Sequence, residues 1–555
     1  MTSRREFLER SVVGIAAANG MRRPIFETNP APRGFIDIQR PPDAVIVQTA
    51  TDERSLSRSG DRWSSDSVTV VTTGERVSLS SPSIAIKRIH LRWRGDLQTT
   101  RLILGDAWER GYGDLEWRSW VPDRVMPWYV AAYDGTLTHA YGVRTGARSF
   151  CFWQVDPRGI SLWADVRSGG SGVQLGSRML DVCDVVSRAG RADESAFAAI
   201  HAFCRQMCAN PRMPAQPVYG SNDWYWAYGK NSVETVVADA EHIVELSPTG
   251  GNRPFAVIDD GWQPVRGKDK AGVGTWDHGN EKFGDMSTVA ARIKGAGARP
   301  GIWVRPLQAL ADTPDSWRLP RDKQYLDPTI PEVRAKVADD IARVRQWGYE
   351  LIKHDYTTFD LFGRWGFQMG AAMTRDGWTF AAGPSQTTAE VIDDLYRTIR
   401  VAAADSLVIG CNTVSHLSAG HFEICRVGDD TSGTEWPRTR KMGVNTLAFR
   451  GVQHGAFYVA DADCVGVTNA VPWSLNRQWL DVLARSGTML FVSLAPDALG
   501  TEQRRDLRSA LALAAVAHPL AEPLDWQRTV YPSRWKMMGR EWRYDWVGAD
   551  GAGPP

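Results

Sequence analysis

Acidic residues recur in this chain at one kind of place, directly after a short apolar run. Asp223 follows VYGSN, Asp259 and Asp260 follow FAVI, Lys353 and Asp355 close YELIKHD, Asp429 and Asp430 follow EICRVG, and Asp461 and Asp463 follow AFYVA. Lys353 and Asp355 stand two apart in a strand-like run, so their side chains leave the same face, where the lysine would hold the aspartate ionised. Taken alone, that pair could be a structural ion pair. Carboxylates crowded on one rim repel each other and are costly to desolvate, so their number favours chemistry over scaffolding. An ionised, positioned carboxylate across from a second, protonated one is the requirement for cleaving a glycosidic bond. Asp430, with Asp429 beside it, is the candidate for the second group. Other polar strand ends are Trp224, Trp303 with Arg305, Cys411 with Asn412, and Arg426. The histidines, His354 and His421 among them, are not paired on strand ends in a ligand-like way, so no metal and no organic cofactor is expected.

The elements that must position these residues follow from periodicity. After Pro211, apolar strand-like runs alternate with amphipathic stretches: Val236, Val237, Ala240, Ile243 and Val244; Val333, Val337, Ile341 and Val344, stopped by Gly348; Val391, Ile392, Leu395 and Ile399. Eight strand candidates with helical crossovers in roughly 280 residues predict a (β/α)8 barrel, whose sites form at the C-terminal strand ends. No glycine-rich phosphate loop follows the first strand, as an open doubly wound sheet would ask. From Ile36 to Val186, short β-type runs punctuated by Gly, Pro and Asp predict an antiparallel β-sandwich. The expected division is an export-signal-like segment over 1–30, the sandwich over 31–195, a helical linker over 196–215, the barrel over 216–522, and a short C-terminal β segment over 523–555, where WKMMGREWRYDWVG could pair as a hairpin. The insertion from Leu361 to Gln386 carries Trp365, Phe367, Trp378 and Phe380 and is expected to wall the site.

With 555 residues, 43% hydrophobic and 23% charged, the chain is long enough for two or three packed domains. A net charge of +1 without long runs of one sign argues against a nucleic-acid groove or an acidic membrane surface as partner. Seven cysteines in no framework spacing read as buried thiols. The 24 tryptophans supply indole faces of the kind set against sugar rings. The N-terminus, MTSRREFLERSVVGIAAANG, reads as a twin-arginine export signal built on Arg4 and Arg5, giving a periplasmic or secreted protein, with a cytoplasmic one as the alternative.

Together, IDDGWQ, GIWVRP, IKHD, RVGDD and ADADC, with GSNDWY on the first strand, resemble the clan D glycoside hydrolases, most closely the family 36 α-galactosidases and raffinose-synthase-like relatives, in the right order from about Tyr219 to Ala495. The resemblance implies a retaining exo-acting α-glycosidase with Asp355 as nucleophile and Asp430 as general acid/base. It also implies that Asp259 and Asp260 hold hydroxyls of the sugar, that Lys353 and Arg426 reach other hydroxyls and the nucleophile, and that Trp224 lines the pocket, with Cys411 matching a cysteine at the end of strand five in some members. Trp303, from its strand end, is expected at the substrate, with pure core as the alternative. Asp429 and Glu435 stay open as alternatives for the acid/base. The expected partner is an oligosaccharide or other glycoside, with homo-oligomerisation left open. A transglycosylase of the raffinose-synthase type, or a carbohydrate-binding relative without catalysis, are the alternative functions.

Overall fold

The structure, a computed structural model, describes residues 34–264, 274–548 and 551. Arg4 and Arg5, on which the export expectation rests, lie outside the described residues. Two antiparallel sheets, of six and eight strands, occupy the N-terminal third. Their strands form where apolar and polar residues alternate. In Ile86–Arg94, Ile89, Leu91 and Trp93 are buried, while Arg88, His90 and Arg92 between them stay half-exposed. The helix Ala196–Met207, capped by the Ser195 side chain, leads out of these sheets.

The rest of the chain builds one curled parallel sheet from β1 (Tyr219–Asn222), β2 (Phe255–Ile258), β3 (Arg299–Val304), β4 (Leu351–His354), β5 (Leu407–Gly410), β6 (Ile424–Arg426), β7 (Val459–Asp461), β8 (Val465–Val467) and β9 (Leu490–Leu494). Their spatial order is β7-β6-β5-β4-β3-β2-β1-β9-β8. The two outermost strands, β7 and β8, are consecutive in the chain, and Asp463 between them takes a left-handed backbone with φ 75°.

Each strand is buried on both faces, which is why it reads as an unbroken apolar run. Alternate residues serve two cores. Phe255 and Val257 of β2, Leu351 of β4, Ile409 of β5 and Ile424 of β6 share the inner cluster, while Ala256, Ile258 and Ile352 face the helices. Lys353 and Asp355 have the parity of Leu351 and so point inward.

The crossover helices carry the expected stripes. Pro331–Gln346 buries Val333, Val337, Ile341 and Val344 and begins with proline at its first position, where a missing N–H costs nothing. Thr388–Ala403 starts in a capping box between Thr387 and Glu390 and buries Val391, Ile392, Leu395 and Ile399. On Val233–Leu246 the fully buried positions are Val236, Asp239, Ala240, Ile243 and Leu246; Val237 and Val244 are only half-buried, because the buried stripe lies one position round from them. At the C-terminal end Arg534–Met537 and Arg540–Arg543 pair antiparallel, with Glu522–Pro523 alongside. All seven cysteines are buried and free. Among the described residues no helix is long and apolar enough to cross a membrane.

Candidate active site

Asp355 stands one residue past β4, where the chain turns through Tyr356 at φ 64°. Trp303 Nε1, from β3, donates to one carboxylate oxygen at 3.1 Å and the Tyr356 backbone N–H to the other at 2.7 Å. These two donors fix the carboxylate's orientation. Tyr356 is pinned in turn, with the Arg305 guanidinium 4.0 Å from its ring centroid. Arg305 forks onto the buried Asp360 at 2.7 and 3.1 Å. Burial pushes the Asp360 carboxyl up to about 6 despite that partner.

Lys353 does not pair with Asp355 as expected. Its Nζ lies 2.7 Å from Asp259 Oδ2, across the inside of the curled sheet. Inward side chains converge there, so a lysine on β4 reaches a carboxylate at the end of β2 more readily than one two residues along its own strand. Asp259 also accepts from Asn222 Nδ2 at 2.8 Å and from the Asp260 N–H at 2.9 Å. Its own N–H donates to Asp223 at 2.8 Å. Burial, and then the Asp259 charge, push the Asp223 carboxyl up to about 7. Asp260 accepts from Gln263 Nε2 at 2.5 Å. Trp224 packs against the inner cluster and edge-on to Tyr228.

Arg426, at the end of β6, does not reach Asp355 either. Its Nη2 is 2.8 Å from both Asp430 and Asp463, and its Nη1 lies 3.7 Å from Cys411 Sγ. Asp463 is a structural anchor: it also accepts from the Tyr225 hydroxyl, the Thr431 N–H and the Thr431 hydroxyl. Asp461 accepts from the Asp463 N–H at 2.8 Å, and burial lifts its carboxyl to about 6 against the pull of Arg426.

The adjacent acids Asp429 and Asp430 differ in kind. Asp429 is clamped by two guanidinium groups, Arg110 at 2.8 Å and Arg438 at 3.0 Å. Asp430 keeps 39% of its side chain exposed while meeting Arg426 at 2.8 Å and Arg110 at 3.7 Å. Burial works to raise its carboxyl, but Arg426, then Arg110, Lys353 and Arg438, outweigh it and bring it to about 2, with solvent screening part of that pull. Glu435 is exposed at the head of the short helix Trp436–Thr439.

Arg110 and its neighbours Glu109 and Tyr112 come from the N-terminal sheets, and the strand-end pattern gave no hint of them. Gly111 bridges to Gly428 through Gly111 N–H to Val427 C=O at 2.8 Å and Asp429 N–H to Gly111 C=O at 2.9 Å. Glu109, fully buried, accepts from Asn412 Nδ2 at 2.7 Å, the Gly366 N–H at 2.9 Å and the Tyr112 hydroxyl. The available signal was the length of the stretch between Gly105 and Met126, unusual among short hairpins and rich in charge and tryptophan.

The Leu361–Gln386 insertion divides in two. Trp365 stacks on Phe359 at 4.5 Å and lies 5.4 Å under the Arg110 guanidinium, and Phe367 is exposed edge-on to Tyr112. Trp378 and Phe380, expected as wall, are buried: the Trp378 carbonyl accepts from the Gly170 N–H and the Ser171 hydroxyl of the N-terminal part.

No family model matches the chain. Two α-galactosidases match part of it: the bifunctional α-galactosidase/sucrose kinase of Mediterraneibacter gnavus, 28% identical over 156 residues, and an Escherichia coli α-galactosidase, 31% identical over 124 residues. These alignments take in 25% and 22% of this chain and 16% of each relative's length. Similar solved structures include the Thermus thermophilus α-galactosidase in complex with p-nitrophenyl α-D-galactopyranoside, with TM-score 0.58 and 15% identity over 90% of this chain and 99% of that one. The Geobacillus stearothermophilus family 36 α-galactosidase in complex with raffinose gives TM-score 0.56 and 15% identity over 87% and 71%. The chain therefore has the fold of the family 36 α-galactosidases, the group its strand-end motifs resemble.

Proposed function

We propose that the chain is a retaining, exo-acting α-galactosidase and that its curled sheet is a (β/α)8 barrel whose seventh strand is broken at Asp463. The observation that carries the reading is Asp355: a carboxylate at the end of β4, oriented by two N–H donors from Trp303 and Tyr356, with no ion pair of its own among the described residues and Lys353 near enough to act on it through its charge. In the first step an Asp355 oxygen attacks the anomeric carbon and the bond to the leaving oxygen breaks, that oxygen taking a proton from Asp430, whose acid form the surrounding cations disfavour. In the second, Asp430 as carboxylate takes a proton from water while the water oxygen displaces Asp355. Asp259 and Asp260, with Lys353 fixing the former, supply acceptors for sugar hydroxyls, and Trp224, Trp303 and Cys411 shape the pocket. The α-galactosidases it resembles in sequence and fold support galactose as the sugar.

The test is a screen of aryl α-glycosides, with the anomer of the first product read by NMR. Galactoside turnover with retention is expected. Asp355→Ala should abolish turnover of every glycoside. Asp430→Ala should lower rates on poor leaving groups by about 10²–10⁴-fold while activated aryl substrates still form the intermediate. Asp429→Ala should lack that leaving-group pattern. Substantial activity in Asp355→Ala, or inversion at the anomeric carbon, would defeat the reading.

A further inference from the structure

We propose that Arg110, brought in from the N-terminal sheets, is a positioning residue that sets the orientation and charge state of Asp430; this rests on the reading of Asp430 as acid/base. Arg110 is buried and bridges the two adjacent carboxylates, 2.8 Å from Asp429 and 3.7 Å from Asp430. Its backbone cannot drift, because the next residue, Gly111, pairs with the Val427–Asp429 segment. Its guanidinium lies over the Trp365 and Tyr112 rings, at 5.4 and 5.7 Å from their centroids. A planar fork packed on two aromatic rings and aimed at two acids is a rigid device, of a kind a lysine cannot reproduce.

Asp430 is faced from every side. Arg426 lies on its own segment, Arg438 on the following helix, Lys353 on β4 and Arg110 on the N-terminal loop. The groups of opposite tendency are Asp429 and Asp463, and the phenols Tyr225 and Tyr356, whose own ionisation the Asp430 charge opposes. Arg426 is also ion-paired to Asp463, whereas the ion pairs of Arg110 among the described residues go to Asp429 and Asp430, with the buried Glu109 carboxyl also in its field. Each cation favours the carboxylate that must act as base in the second step and opposes the carboxylic acid needed in the first. Arg110 therefore sets how high in pH the first step runs, and its contact with Asp429 fixes the angle at which Asp430 is presented.

The experiment measures kcat/KM against pH for an alkyl α-galactoside, whose poor leaving group needs the proton, in wild type, Arg110→Gln, Arg110→Lys and Arg438→Gln. Removing the Arg110 charge should move the alkaline limb to higher pH by roughly one unit, since a facing cation within a few ångströms shifts a carboxyl by that order. Arg110→Lys should keep the limb near its wild-type place but lower the plateau about tenfold or more, because a point charge cannot bridge both acids. Arg438→Gln should move the limb less than Arg110→Gln. A uniform loss in Arg110→Gln with the limb unmoved, or an Arg110→Lys profile identical to wild type, overturns the proposal, and the lysine variant alone decides if the glutamine variant fails to fold. If wild type turns over no α-galactoside, the proposed function falls separately. The Asp430 carboxyl signal, assigned by Asp430→Asn in ¹³C-aspartate-labelled protein, then reads the charge state directly: an upward move of its titration in Arg110→Gln upholds the device, and an unmoved one ends it.

Discussion

Asp223 accepts hydrogen bonds from the Asp259 N–H and Asn231 Nδ2, and its carboxyl is lifted from 3.8 to about 7. A group whose folded value is raised in this way binds more protons folded than unfolded between those two values, so its contribution falls as pH rises through that window. Asp360 and Asp461, lifted to about 6, act in the same direction over the lower part. Asp223→Asn should therefore flatten the decline of the thermal midpoint across about pH 4 to 7, most visibly between 6 and 7 where Asp360 and Asp461 no longer contribute; an unchanged slope across that upper part would contradict the assignment. At this scale the sequence identified which residues meet at the strand ends, because both-face burial makes each strand an apolar run and its polar end conspicuous. Partner choice was hidden. Lys353 shares a face with Asp355 by parity yet pairs with Asp259, and Arg426 pairs with Asp430 and Asp463 and not with Asp355, because pairing across the interior of a curled sheet depends on which strands lie opposite, and that is absent from local spacing.

Among the elements, the bridge between Gly111 and Gly428 joins a loop of the N-terminal sheets to the segment after β6. A Cβ at Gly428 would meet the Thr446 hydroxyl and stand 2.6 Å from the Met442 carbonyl oxygen, which is backbone and cannot yield. Gly428→Ala should cost about 1–3 kcal/mol and lower turnover by displacing the two acids that follow it. Gly370→Ala, where an added Cβ meets nothing within 4 Å, is the control and should stay within about 0.5 kcal/mol of wild type in urea unfolding. Strands and helices were readable in this part because their periods of 2 and 3.6 are local. The Arg110 loop was not, since nothing in WERGYGD announces a partner more than 300 residues later. Trp378 and Phe380 were misplaced for a related reason: an aromatic in an insertion looks alike whether it faces a ligand or docks the insertion onto the N-terminal part.

Across the whole molecule, Arg450 joins the two halves. Fully buried, it pairs with Asp106 at 2.9 Å and donates to the Glu109 carbonyl at 2.7 Å, the Val427 carbonyl at 3.1 Å and the Ser415 hydroxyl at 2.6 Å. Arg450→Met would leave Asp106 buried without its cation, a loss of about 3–5 kcal/mol. Combining it with Asp106→Asn should recover part of that loss, measured by a double-mutant cycle in urea; strict additivity would contradict the coupling.

That junction also bears on how the protein is made. Glu109 and Arg450 are 341 positions apart, so the ribosome delivers the first long before the second. The Arg110 loop finds its partners far along the chain, Trp365, Gly366 and Asn412 first and Asp429 and Arg450 after them. Contacts this distant in sequence form late and slowly, since the loop they close must be ordered first. Until then the Arg110 loop cannot hold Asp429 and Asp430, so on the proposed mechanism turnover waits for this junction to close.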